Sequence, residues 1–135
     1  MEMGFLSKES DVYSFGVVLF EILCGRLCYE YHNHELTKIL VPEWRRCYDE
    51  NRLDEIILPG LKEQMHPGSL KSFSAIAYQC VMRDHEERPT MGEVVEELEF
   101  SLEQQMIHIR FSMITYVIWG DKRAIQITAG TVIPA

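Results

Sequence analysis

The sequence predicts a mainly α-helical fold over residues 1–104, followed by a tail, residues 105–135, that favours a β-hairpin. Three observations predict it: an apolar segment near the N-terminus, later segments with apolar residues at helical spacing, and alternation of apolar and polar residues after residue 106. Hydrophobic residues make up 47% and charged residues 25% of the 135-residue chain. This composition is typical of one globular domain or a part of one.

The N-terminal apolar segment, residues 10–23, reads SDVYSFGVVLFEIL and has no polar stripe at helical spacing. A helix that is apolar nearly all the way round is buried inside a larger structure. Ser7 or Ser10 is a candidate N-cap, and Gly25 follows the last apolar residue. We therefore expect a helix at residues 8–24 that needs covering on all sides.

Weaker helical patterns follow at residues 35–48, 69–81 and 90–105. Pro42 interrupts the first of them, and Thr90 with Glu93 forms a capping box at the start of the last. Residues 26–35 are polar and aromatic, which favours a loop. The stripe expected to be buried on the last helix comprises Val94, Val95, Leu98 and Leu102.

The tail shows a different pattern. Residues 107–112 alternate apolar and polar side chains with a period of two, which indicates a strand. Residues 119–123 are a candidate turn, and residues 124–128 a candidate return strand. Nothing in the tail suggests chemistry.

Charge and cysteine usage restrict the function classes. Residues 1–104 carry ten Lys or Arg against twenty Asp or Glu, which argues against nucleic acid as a partner. The longest apolar run of the tail, residues 106–119, is too short and too polar to span a bilayer. The cysteines show no zinc-ligand spacing and predict reduced thiols in a cytosolic protein. They are Cys24, Cys28, Cys47 and Cys80.

Two motifs carry a resemblance to a known family. The first is the segment at residues 10–23, and the second is residues 80–91, which read CVMRDHEERPTM. Together they resemble the C-terminal lobe of eukaryotic protein kinases, and more narrowly the plant receptor-like Ser/Thr kinases. The resemblance covers residues 1–104, and residues 105–135 stay unassigned.

The resemblance implies structural roles for four residues. Asp11 would hold the backbone of the catalytic loop, and Val18 and Ile22 would support the apolar column that reaches the nucleotide base. Arg88 would pair with a Glu at the end of the activation segment. Simpler explanations stay open, in which Asp11 is a helix cap and Arg88 a surface charge.

The resemblance also places substrate and partner docking in residues 36–50 and the loop before them. Candidate docking residues there are Tyr29, Tyr31 and Trp44, although packing is the simpler role for Trp44. The implied partners are other proteins or the remaining kinase lobe. The implied location is the cytosol, or the cytosolic side of the plasma membrane if the parent is a receptor-like kinase.

Kinases bind ATP and Mg²⁺ through a Gly-rich loop, a His-Arg-Asp catalytic loop and an Asp-Phe-Gly metal site. The sequence has no Gly-x-Gly, no His-Arg-Asp and no Asp-Phe-Gly. We therefore expect no catalytic, cofactor-binding or metal-binding residue in this chain, and no kinase activity from it alone.

Three interpretations follow. The first is a truncated receptor-like Ser/Thr kinase, and the second is a non-catalytic interaction module, a decoy that keeps the kinase docking surface around residues 26–50. The third is an unrelated or non-functional helical protein in which the motif match is incidental or a relic. An in-frame upstream reading frame with the missing motifs would favour the first.

Overall fold

The computed structural model describes residues 7–119, 125–128 and 131–134. Within them the helices are α1 (Lys8–Cys24), α2 (Val41–Asp49), α3 (Pro59–Gln64), α4 (Pro67–Cys80) and α5 (Met91–Trp119). The strands are β1 (Tyr29–His32), β2 (Glu35–Ile39), β3 (Ile125–Thr128) and β4 (Thr131–Pro134). Short 3-10 turns lie at Leu53–Glu55 and His85–Glu87. The predicted mainly helical fold is confirmed.

Helix α1 begins and ends as its sequence predicts. The Ser7 hydroxyl accepts a hydrogen bond from the Ser10 amide at 3.0 Å, which fixes Ser7 as the N-cap. Gly25 follows the last helical residue with φ 70°, a conformation that favours glycine, and its amide donates to the Glu21 carbonyl. The capping box of α5 forms between Thr90 and Glu93 as expected.

The core is built where α1 crosses α4. A Cβ atom at Gly16 would lie 2.4 Å from the Cys80 Cβ, so the absence of a side chain lets the two helices approach closely. Phe20 of α1 stacks on Trp44 of α2 with ring centroids 5.6 Å apart. The side chains buried around this crossing include Val12, Leu19, Leu23, Ile76, Ala77, Val81 and Val94.

The strand predicted at residues 107–112 is wrong. That segment is helical, and α5 continues to Trp119. Residues 93–119 contain neither Gly nor Pro, so each further residue adds a backbone hydrogen bond to a helix that already exists. The Gln105 side chain accepts a hydrogen bond from the His66 amide at 2.7 Å, and the His108 ring lies 5.2 Å from the His66 ring. These contacts attach the second half of α5 to the start of α4.

The buried stripe predicted for this helix is half wrong. Val94 is fully buried and Leu98 is half-buried, but Val95 and Leu102 are exposed. Ser101 faces the core instead of Val95 and Leu102. Its hydroxyl and carbonyl exchange hydrogen bonds with Ser69 of α4, which satisfies these polar groups in the buried contact.

A hairpin replaces the loop predicted at residues 26–35 and the helix start predicted at residue 35. β1 and β2 pair antiparallel across a two-residue turn at Asn33 and His34. Both turn residues have positive φ, 51° and 67°, the geometry of the turns that favour hairpins. The turn is hard to predict from the sequence because Asn33-His34 lacks the glycine that usually marks a two-residue hairpin turn.

The tail contains a hairpin, but not with the predicted partners. β3 covers the predicted return strand and pairs antiparallel with β4, with Thr128 opposite Thr131, rather than with residues 107–112. This hairpin lies beside α5. The turn predicted at 119–123 falls, apart from Trp119, outside the described residues.

Candidate functional site

The start of α1 and the loop before α5 are joined by Arg88. Its Nε donates to the Met82 carbonyl at 2.8 Å, and its Nη1 donates to the Glu9 carbonyl at 3.0 Å. Its guanidinium lies 4.8 Å from the centre of the Tyr13 ring. A planar guanidinium suits this combination of carbonyl acceptors and an aromatic face. The alternative in which Arg88 is a plain surface charge does not describe these contacts.

A cleft of about 350 Å³ lies beside this junction. Its lining includes Asp11, Val12, His85, Arg88 and Met91. A guanidinium has five N–H donors, and the bonds within the described residues use three of those of Arg88. The cleft therefore combines unused donor capacity with an apolar wall, which suits a carboxylate on an otherwise apolar segment.

One face of α1 points away from the core. Asp11 is exposed, and Val18 and Ile22, seven and eleven residues later, keep 45% and 54% of their surface exposed. Residues at this spacing lie on one side of a helix. The sequence predicts a helix that needs covering on all sides, and the described residues cover only one of its faces. Its covered face packs on α4 and its other face is open.

The candidate docking residues separate into two environments. Tyr29 and Tyr31 are 47% and 62% exposed on β1, and their rings meet edge to face at 5.9 Å. Leu36 and Ile39, which are opposite them on β2, are also exposed. The docking role predicted for Trp44 is wrong, and the simpler packing role is the one it has. Trp44 is 2% exposed and stacks on Phe20, so it is a core residue that cannot dock a partner.

The cysteines are free and buried. Burial raises the pKa of Cys24 to about 12 and the pKa of Cys80 to about 11, so both are protonated at neutral pH. Within the described residues, no cluster of three His, Cys, Asp or Glu side chains could hold a metal ion. No helix in this part of the chain is long and apolar enough to cross a membrane.

Comparison with known proteins decides the family. The family model for protein tyrosine and serine/threonine kinases matches residues 1–98. The chain belongs to this kinase family. The matched residues include both segments that carry the sequence resemblance, residues 10–23 in α1 and residues 80–91 around Arg88.

The similar curated proteins are plant receptor-like kinases. FERONIA of Arabidopsis thaliana is 45% identical over 103 residues, which is 74% of this chain and 11% of FERONIA. ANXUR2 of the same plant is 43% identical over 103 residues, 74% of this chain and 12% of ANXUR2. An EPD1-interacting receptor-like cytoplasmic serine/threonine-protein kinase of Nicotiana benthamiana is 40% identical over 98 residues, 71% of this chain and 21% of that protein. The chain spans about a tenth to a fifth of the length of these relatives.

The structure brings some of the predicted site residues together. Asp11 and Arg88 line the same cleft, and Val18 and Ile22 extend the exposed face that begins at Asp11. Tyr13, which lies under Arg88, was not predicted. Its signal is present in the sequence, because it is the one aromatic residue in the first turn and a half of α1, but spacing alone does not reveal a stacked cation.

Proposed function

We propose that this chain is a non-catalytic part of a receptor-like Ser/Thr kinase domain, and that phosphate transfer from ATP to protein Ser/Thr requires further kinase segments. The observation that carries the proposal is the open face of α1, formed by Asp11, Val18 and Ile22. An exposed carboxylate followed by two exposed apolar side chains is suited to a covering segment that offers backbone N–H groups and apolar side chains. In kinases, the catalytic loop and the apolar column have this chemistry.

The missing chemistry supports the same proposal. Phosphoryl transfer depends on groups that position the triphosphate, the metal ions and the attacking hydroxyl. The sequence lacks the motifs that supply them, and the described residues offer no metal cluster. No step through ATP or Mg²⁺ is therefore assigned to residues of this chain. Its contribution is to support the segments that carry them.

A chimera tests the proposal. In the kinase domain of FERONIA, the corresponding segment is replaced by residues 7–104 of this chain, and phosphate transfer from ATP to a generic protein substrate is measured. We expect the chimera to be active and the isolated chain to match a heat-killed control. Activity of the isolated chain, or a folded but inactive chimera, would contradict the proposal.

Two variants of the chimera locate the supporting residues. Asp11→Asn is expected to lower kcat because the backbone it would hold loses its anchor, while Glu9→Gln, on the same turn of α1, is the control. Glu9 contributes its carbonyl, not its side chain, to the Arg88 contact, so this control leaves that contact intact.

The exposed β1–β2 hairpin favours a second candidate, a module that binds kinase partners on the cytosolic side of the plasma membrane. Tyr29 and Tyr31 with Leu36 and Ile39 present four large apolar side chains on one two-stranded ribbon. Aromatic residues of this kind are enriched in protein interfaces. The purified chain should then inhibit substrate phosphorylation by a relative's kinase domain. A Tyr29→Ser/Tyr31→Ser variant should not, and an equal effect of both proteins would exclude this candidate.

A further inference from the structure

Helix α5 carries an apolar stripe that the rest of the described chain leaves uncovered. Along residues 95–116 the side chains at alternating intervals of four and three face one side of the helix. We call these seven residues the α5 stripe: Val95, Glu99, Leu102, Met106, Ile109, Met113 and Tyr116. Ile109 is half-buried, and the other apolar members are 40% to 60% exposed.

The stripe is distinct from the face by which α5 joins the rest of the chain. Ser101 is buried against α4, Gln105 and His108 contact His66, and Ser112 is also buried. With 100° of rotation per residue, the stripe lies about a quarter turn from this inner face. It spans three heptads, about 33 Å of helix, which is the shortest heptad pattern that indicates a coiled coil.

Charge changes sign along the outer edge of the stripe. Glu96 and Glu103 precede Arg110 at intervals of seven, and all three are exposed. A second helix that ran parallel and in register would place Glu99 beside Glu99 in the seam and would leave Glu103 and Arg110 on opposite edges, without each other as partners. A second helix that ran antiparallel would place each Glu103 near an Arg110 instead.

We propose that a second copy of this chain packs antiparallel on the α5 stripe. In the register that aligns the apolar positions, Leu102 faces Met113 of the second copy and Met106 faces Ile109. Glu99 then lies opposite Tyr116 of the second copy, whose hydroxyl can donate to the carboxylate. The single polar position of the stripe thereby acquires a partner, which fixes the register.

The acidity of the chain favours a protein copy over a lipid surface. The first half of α5 carries Glu93, Glu96, Glu97, Glu99 and Glu103, and the whole chain has a net charge of −8. An anionic membrane repels this charge, whereas the antiparallel copy offsets it with Arg110.

Sedimentation equilibrium of the full chain tests the dimer. We expect a monomer–dimer equilibrium in which Met113→Glu weakens association by at least about 100-fold, because it places a charge in the seam. The matched control is Ile107→Glu, which changes an exposed apolar residue on another side of α5 and should leave the dimer intact. Circular dichroism of both variants identifies any that do not fold.

A charge exchange tests the direction of packing. Glu103→Arg and Arg110→Glu should each weaken the dimer by about tenfold, and the double variant should restore it. A wild-type chain that stays monomeric at all concentrations overturns the proposal, as does a folded Met113→Glu variant that dimerises normally. A double variant no tighter than the single ones overturns the antiparallel register. Binding of a monomeric chain to neutral lipid vesicles would assign the stripe to a membrane instead and contradict it.

Discussion

The two faces of α1 have similar composition but very different surroundings. Leu19 and Phe20 are almost fully buried in the core that α1 shares with α2 and α4, while Val18 and Ile22, on the same helix, are about half exposed. One helix thus contributes to a finished core on one side and presents apolar surface on the other. The difference teaches that the apolar character of α1 reflects two packing requirements, of which the described chain meets one.

The largest effect should follow from truncating the covered face. Phe20→Ala removes a fully buried ring that stacks on Trp44 and should cost roughly 3–5 kcal/mol in the free energy of unfolding. Ile22→Ala, at an exposed position two residues later, is the control and should cost well under about 1 kcal/mol. Urea unfolding measures both. Equal losses would remove the distinction between the faces.

The close approach of α1 and α4 gives the next effect. Gly16→Ala would bring its new Cβ to 2.4 Å from the Cys80 Cβ, so the helices must separate at a cost of about 2–3 kcal/mol. Gly92→Ala is the control, because a Cβ there meets nothing closer than 3.8 Å. Thermal unfolding of the two variants tests this. If Gly16→Ala were as stable as Gly92→Ala, the crossing would be looser than described.

Alkaline pH should lower the free energy of unfolding through two buried thiols on the covered side of α1. Burial raises the pKa of Cys24 and Cys80 from 9.0 to about 12 and about 11, so above pH 9 these thiols ionise in the unfolded chain before they do in the folded one. Stability should be independent of both thiols below about pH 8. It should then fall toward pH 11 by about 1 kcal/mol per pH unit for each thiol. A Cys24→Ala/Cys80→Ala variant should show a shallower fall between pH 9 and 11, and an identical slope would contradict the assignment.

A smaller loss is expected where α4 meets α5. Ser101→Ala removes the buried hydroxyl that donates to the Ser69 carbonyl at 2.8 Å, and should cost about 1 kcal/mol. Ser14→Ala, at an exposed position of α1, is the control and should be nearly neutral. Denaturant midpoints compare the two. A neutral Ser101→Ala would mean that the serine pair does not hold the helices together.

How much the sequence predicts depends on whether local signals and tertiary contacts agree. Ser7, Gly25 and the Thr90 capping box predict the ends of their helices correctly, because capping is a local interaction. The segment at residues 107–112 alternates like a strand but forms a helix, because it continues an existing helix and contacts His66. Six alternating residues therefore predict secondary structure less reliably than their position at the end of an existing helix does.

The candidate site divides in the same way. The motifs predict structural roles for Asp11 and Arg88, and the two residues line one cleft. The sequence favours packing for Trp44 but does not decide it, because a tryptophan two residues after a proline in a polar segment suits a surface as well as an interior. Nor does it reveal the hairpin at Tyr29 and Tyr31, whose turn has no glycine.

The measurement that most directly tests the open face of α1 is the unfolding free energy of a Val18→Gln/Ile22→Gln variant. Glutamine keeps the helical propensity and removes the apolar surface. Because both positions are about half exposed, we predict a change within about 0.5 kcal/mol. The matched variant, Leu19→Gln/Leu23→Gln on the covered face, should fail to fold. Unfolding of the Val18→Gln/Ile22→Gln variant would show that this chain itself covers the face, and would contradict the account.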